Sequence, residues 1–222
     1  MSTGTLLTTS VADFGDFCSG AAAIEAIRRG EVLIVADGED RENEGDLIVA
    51  AEFASAQVLN FMITYGRGLV CLALTQKRAS ELHLPPMVER PTDHMGTAFT
   101  VSIDGSPEHD VRTGISAFER AKTVALALSG RPEDLVRPGH MFPLVARDGG
   151  VFERPGHTEA AVDLARWAGL QPAGVIVEII GDDGQMLRRD GLKAFARRHG
   201  LLMTTIEILR DSMSPWRGAD SQ

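Results

Sequence analysis

Apolar and polar positions change period along the chain, and each change marks an element. Helical spacing from about Ser19 to Arg29, closed by Gly30, predicts a helix that leads into the strand EVLIVA. An acidic stretch follows, and LIVAAE predicts a second strand. Ser55 can cap a helix that runs to Tyr65 and stops at Gly66, and LVCLAL from Leu69 is again strand-like. Between His83 and Asp93 the periodicity fails. Three prolines in LPPMVERPTD predict a long loop before the strand TAFTVSID. Ser116 and Glu119 form a capping box that opens the helix AFERAKTVALAL, which Gly130 ends. FPLVA and VIVEII predict strands on either side of a helix in HTEAAVDLARWAG. After them come the amphipathic segment DGLKAFARRHG, a short strand and a terminal helix or tail. Residues 1–17 and 212–222, with the tail SPWRGADSQ, are expected to be flexible ends. Nothing in this pattern reads as a linker. The expectation is a single domain over 1–222 of α+β class with α/β-like alternation, a mixed β-sheet flanked by helices.

Composition narrows what such a domain does. The 222 residues hold 22 Lys and Arg against 31 Asp and Glu, an acidic balance that argues against broad phosphate-backbone binding, so no nucleic-acid partner is expected. No apolar run approaches the roughly 20 residues of a membrane span, and MSTGTLLTTS lacks the basic start and apolar core of a secretory signal, so no membrane association is expected. Cys18 and Cys71 stand too far apart for a disulfide framework or a CxxC metal site. A reducing compartment, the cytoplasm, is the simpler expectation.

The candidate chemistry begins at DGEDRENEGD, which packs six carboxylates and Arg41 into the ten residues Asp37–Asp46. A charge run between strands is commonly a solvated turn. Here like charges crowd together around Gly38 and Gly45, which suits a hard divalent cation such as Mg2+ or Mn2+, with Arg41 as a second source of positive charge. The spacing excludes an EF-hand, whose sixth and twelfth positions would fall on Glu42 and Ile48. Arg-Pro-Gly-His occurs twice, at Arg137–His140 and Arg154–His157, and both copies read as turns that present an imidazole. Thr158 is a natural N-cap, which puts His157 at a helix N-terminus. There the field favours a neutral ring, and free backbone N–H groups, the Thr158 hydroxyl and Arg154 would make a phosphate site. Glu178 interrupts an apolar run: on a central strand its pKa should rise and suit proton transfer, and on an edge strand it would face water. Cys71 reads as a small core residue that can also line a site. The GRG of Gly66–Gly68 is only a fragment of a dinucleotide loop.

Taken in order, DRENEGD, GTAFTVSID, TGISAFER, RPGHMFPL, RPGHTEAAVDL and PAGVIVEIIGDDG resemble the 3,4-dihydroxy-2-butanone 4-phosphate synthase family over about Ser19 to Ile208. The resemblance implies a lyase of riboflavin biosynthesis that takes D-ribulose 5-phosphate to L-3,4-dihydroxybutan-2-one 4-phosphate and formate. It also implies a homodimer of the monofunctional form, with Mg2+ (or Mn2+), two ions per site. By the same resemblance Glu42 and His157 are metal ligands, and His140, Glu178 and Asp46 are catalytic. Arg41, Glu42, Asp46, Cys71, Thr113, Arg154, Gly156, His157, Thr158 and Glu178 contact substrate. The same residues would also serve a metal-dependent phosphatase, a sugar-phosphate isomerase or a non-catalytic binding module, which product analysis separates.

Overall fold

A computed structural model describes residues 15–213 of the chain. The expectations for residues 1–14 and 214–222, including SPWRGADSQ, lie outside the described residues. In chain order the elements are α1 (Gly20–Arg28), β1 (Leu33–Ala36), β2 (Gly45–Ala50), α2 (Ala56–Phe61), β3 (Cys71–Leu74), α3 (Gln76–Glu81) and β4 (Ile103–Gly105). They continue with α4 (Ala117–Ser129), β5 (Leu135–Val145), α5 (His157–Trp167), β6 (Ala173–Glu178), α6 (Arg189–His199), β7 (Met203–Thr205) and α7 (Ile206–Met213).

Local chemistry sets most of the helix ends. The hydroxyls of Ser19, Ser55 and Ser116 each accept from a backbone N–H three residues on, which satisfies donors a helix leaves orphaned. After Phe61 the chain adds a turn of π-helix, Met62–Gly66, and reverses at Arg67 with φ 70°.

The seven strands form one mixed sheet in the order β4-β5-β3-β6-β2-β1-β7. β6 is central, antiparallel to both β2 and β3. Successive side chains of a strand point to opposite faces, and here both faces are buried. Leu33, Val35, Ile48, Ala50, Cys71 and Ile176 join one apolar cluster with residues of α1, α5 and α7. Ile34, Leu47, Val49, Leu72, Val175 and Val177 join another, completed by residues of α2, α3, α4 and α6. A sheet covered on both sides explains why its central strands read as unbroken apolar runs. α5 lies close on β6 because residue 174 is glycine: a Cβ there would stand 2.9 Å from the Ala161 side chain.

Four local expectations are corrected. α3, capped by Thr75, stands where no helix was anticipated. TAFTVSID is mostly not strand; β4 holds only its end, and Phe99 and Thr100 make single bridges. Thr100 N donates to Pro143 O at 3.0 Å, but proline has no N–H to return, so the ladder cannot continue. The first Arg-Pro-Gly-His copy is not a turn but part of β5, and its Gly139 permits close approach: a Cβ there would be 2.0 Å from the Ile103 carbonyl carbon. Finally, Gly156 rather than Thr158 is the N-cap of α5, so His157 is the first residue of the helix.

Candidate active site

The acidic run is not a uniform field of like charge. Asp37, at the end of β1, turns inward and is 3% exposed. Its Oδ1 accepts from Glu44 N at 2.8 Å, and its Oδ2 accepts from Glu42 N at 3.1 Å and Arg41 Nη1 at 2.9 Å. Arg41 Nη1 also donates to Glu42 Oε2 at 2.6 Å, so one guanidinium offsets two carboxylates. From the other side, Arg188 Nη1 donates to Glu42 O and Asn43 O, each at 2.6 Å. Glu39 and Asp40 point into solvent. The loop is therefore braced at both ends, and Glu42 is held with its carboxylate toward the N-terminus of α5.

Three further groups converge on Glu42. Asp46 on β2 lies directly opposite Glu178 on β6, and α5 returns antiparallel to β6, which brings His157 over that end of the sheet. His157 Nδ1 is 3.6 Å from Asp46 Oδ1 and 3.8 Å from Glu42 Oε2. Burial pushes the His157 pKa down to about 4, with Asp37 opposing the shift and Arg41 adding to it, so the ring is neutral near neutral pH. The neutral ring expected from the helix field is present, but desolvation is its main cause. Burial, then the charges of Glu178 and Glu42, raises the Asp46 carboxyl well above the ordinary carboxylate range. Glu178, on the central strand rather than an edge, is raised by burial as well. Its Oε2 accepts from Leu69 N at 2.8 Å. Cys71 is buried in the core and raised by burial and by the charges of Glu178 and Asp46, so it both packs the core and borders the site.

This donor set fits a hard divalent cation. His157 turns Nδ1 toward Asp46 and Glu42, and Asp46 Oδ1 is buried with no hydrogen-bond partner, a costly state unless a ligand completes it. Ligand atoms of Asp37, Glu42 and His157 lie within 4.8 Å of one another. Asp37 already accepts three hydrogen bonds, which leaves Glu42 and His157 as the freer pair.

The remaining expected residues fall into two groups. At the start of α5, Arg154 donates from Nη1 to Glu159 Oε2 at 2.7 Å, beside Gly156 and the buried Thr158. His140 and Thr113 sit on β5 and before α4. His140 Nδ1 is 2.7 Å from Asp104 Oδ2, and its backbone N donates to Asp104 Oδ1 at 2.9 Å. This pairing turns Nε2 away from Asp104, the arrangement by which a carboxylate fixes the tautomer of a working histidine. Thr113 Oγ1 and N both donate to Glu119, whose carboxyl is held down at about 2, chiefly by the Arg112 N–H. Extending the registers of β3, β5 and β6 by two residues puts His140, Leu69, Glu178 and Asp46 in one row across the sheet. Sequence reasoning missed Asp104 and Glu159 as supporting residues, although they stand in the blocks GTAFTVSID and RPGHTEAAVDL, and it read Asp37 only as one carboxylate of the acidic run.

A family model described as 3,4-dihydroxy-2-butanone 4-phosphate synthase matches residues 21–211. The chain is 58% identical over 189 residues to "Riboflavin biosynthesis protein RibBA" of Aquifex aeolicus, an alignment of 84% of this chain with 47% of that protein. It is 54% identical over 189 residues to "3,4-dihydroxy-2-butanone 4-phosphate synthase" of Agrobacterium fabrum, covering 84% of this chain and 88% of the relative. A crystal structure of a 3,4-dihydroxy-2-butanone 4-phosphate synthase in complex with two magnesium ions superposes with a TM-score of 0.85 at 42% identity, over 91% of this chain and 99% of that one. The chain spans about half the length, or less, of several curated relatives it matches, at 47%, 51% and 34%.

Proposed function

The chain belongs to the 3,4-dihydroxy-2-butanone 4-phosphate synthase family, and on that premise we propose that it is a metal-dependent lyase of riboflavin biosynthesis. Its substrate is D-ribulose 5-phosphate, and its products are L-3,4-dihydroxybutan-2-one 4-phosphate and formate. The observation that carries this reading is the convergence of Glu42, Asp46 and His157 Nδ1, with Asp46 Oδ1 buried and unpartnered, on the end of the sheet where Glu178 faces Asp46.

Glu42 and His157 would hold Mg2+ (or Mn2+), and the magnesium pair in the solved relative supports two ions per site. A cation there would draw electron density from the ketose oxygens, which acidifies the adjacent C–H. The chain's own groups supply the rest. Glu178, its pKa raised by burial, has Oε2 committed to Leu69 N and Oε1 left to take or return a proton. Asp46, whose pKa is raised by burial beside Glu178, is the group placed to give a proton to a departing hydroxyl. His140, oriented by Asp104, offers Nε2 as a further acid or base. Arg41 lies beside Glu42, and Cys71 and Thr113 complete the substrate contacts. Arg154, Thr158 and the N–H groups at the start of α5 form the phosphate end of the site. The protein works as a homodimer in the cytoplasm. Among the described residues no helix is long and apolar enough to cross a membrane.

Incubating the protein with ribulose 5-phosphate and Mg2+ should release formate, and EDTA should abolish it. Glu42→Ala should lose cation affinity and formate release together. Formate release by Glu42→Ala at the parent rate in added Mg2+ would remove Glu42 from the metal site, and release of inorganic phosphate or of a pentose phosphate isomer instead would overturn the lyase reading.

A further inference from the structure

Glu159 is the third residue of α5 and is 1% exposed. A carboxylate at that place ordinarily reaches back to the N–H of the N-cap. Glu159 does otherwise: Oε1 accepts from Arg147 N at 3.1 Å, and Oε2 accepts from Arg154 Nη1 at 2.7 Å. Arg154 also donates from Nε and Nη2 to Met95 O, at 3.4 and 3.2 Å, so the pair ties the proline-rich loop to the helix that carries His157. Gly156 makes room for it, since a Cβ there would stand 2.3 Å from Arg154 Nη1 and 2.8 Å from Glu159 Oε2. A guanidinium has five N–H groups. Three are spoken for, which leaves one on each terminal nitrogen for a ligand.

We propose that Glu159 is a positioning residue for substrate binding, acting through Arg154: it fixes the guanidinium plane so that the two remaining N–H groups point at the phosphate of the substrate. The proposal rests on the reading that Arg154 contacts that phosphate. Without Glu159 the guanidinium, 16% exposed, keeps its charge but loses the partner that sets its orientation.

The test is a steady-state formate assay on the full chain loaded with Mg2+, comparing E159Q, R154A and the double variant. R154A should raise KM about tenfold or more with kcat changed by less than about threefold, as expected for lost uniform binding. E159Q should reproduce most of that KM increase, weaken competitive inhibition by inorganic phosphate in proportion, and leave Mg2+ affinity unchanged by titration. The double variant should be no worse than R154A. An unchanged KM in E159Q beside a raised KM in R154A would overturn the positioning role alone and leave Arg154 as a phosphate contact. An unchanged KM in R154A would bring down both. Additive effects, or a parallel loss of Mg2+ affinity in E159Q, would also overturn the role assigned to Glu159. Should E159Q fail to melt cooperatively, E159D, which keeps the charge on a shorter reach, takes its place with the same expectations.

Discussion

Asp37 and Glu39 lie two positions apart in the same acidic run and do opposite things. The first spends its carboxylate on two loop N–H groups and Arg41, and the second faces water. Asp37→Ala should therefore cost roughly 2–4 kcal/mol, because buried donors lose their acceptor. Glu39→Ala should stay within about 0.5 kcal/mol. Urea melts of the two variants decide it, and equal midpoints would show that the loop does not depend on Asp37. His157 carries a pH signature. Its ordinary value is 6.5 and its folded value is about 4. The unfolded chain takes up a proton in that window which the fold refuses, so this group's contribution to stability falls as pH drops from about 6.5 to about 4. The loss amounts to roughly 3 kcal/mol by pH 4. The raised Asp46 and Glu178 carboxyls act with the opposite sign, since they bind protons more tightly in the fold. Subtracting the stability curve of a metal-free His157→Gln variant from that of the metal-free parent isolates the histidine, and a flat difference between pH 4 and 6.5 would contradict its burial as a neutral ring.

At the scale of elements, β6 decides what its neighbours do. Gly66 and Gly68 look in sequence like a broken nucleotide loop, but the structure uses them to lay the lead-in of β3 against the end of β6. A Cβ at residue 68 would stand 2.4 Å from Glu178 Oε2 and 2.7 Å from Glu178 N. Gly68→Ala should thus displace the Glu178 carboxylate and lower kcat by roughly 10–100-fold, the cost typical of a misplacement near 1 Å. Cation affinity at Glu42 and His157 should be retained. A formate assay beside a Mg2+ titration tests it, and an undiminished kcat would mean that Glu178 tolerates the push. What was legible in sequence divides along the same lines. The helices opened by Ser19, Ser55 and Ser116 were readable because a cap is chemistry within four residues. α3 was not, since it buries little beyond Ala79 and shows almost no periodicity. The strand expected at TAFTVSID failed for a reason outside its own sequence, the missing N–H of Pro143 on the neighbouring strand. Among site residues, those proposed to touch ligand stand, Cys71 apart, in six short blocks. Asp37, Asp104 and Glu159 serve those residues through pairings that only the folded chain displays.

At the scale of the whole molecule, the order of strands in space departs from their order in the chain. β2 and β3 come early, and the strand that joins them, β6, comes late; Leu69 and the Glu178 that grips its N–H are 109 positions apart. A fragment ending at residue 150 keeps five strands but lacks β6 and α5. It should be cleaved by protease throughout, whereas the full chain resists, and a stable core in the fragment would show that β2 and β3 hold together unaided. The arrangement also bears on the chain as it is made. At about 5–20 residues per second, on the order of ten seconds separate the ribosomal release of β2 and β3 from that of β6. Through that interval two apolar strand edges wait without their shared partner. The nascent chain exposes those edges to non-native pairing, and Glu42, Asp46, His157 and Glu178 can meet only after β6 has left the ribosome.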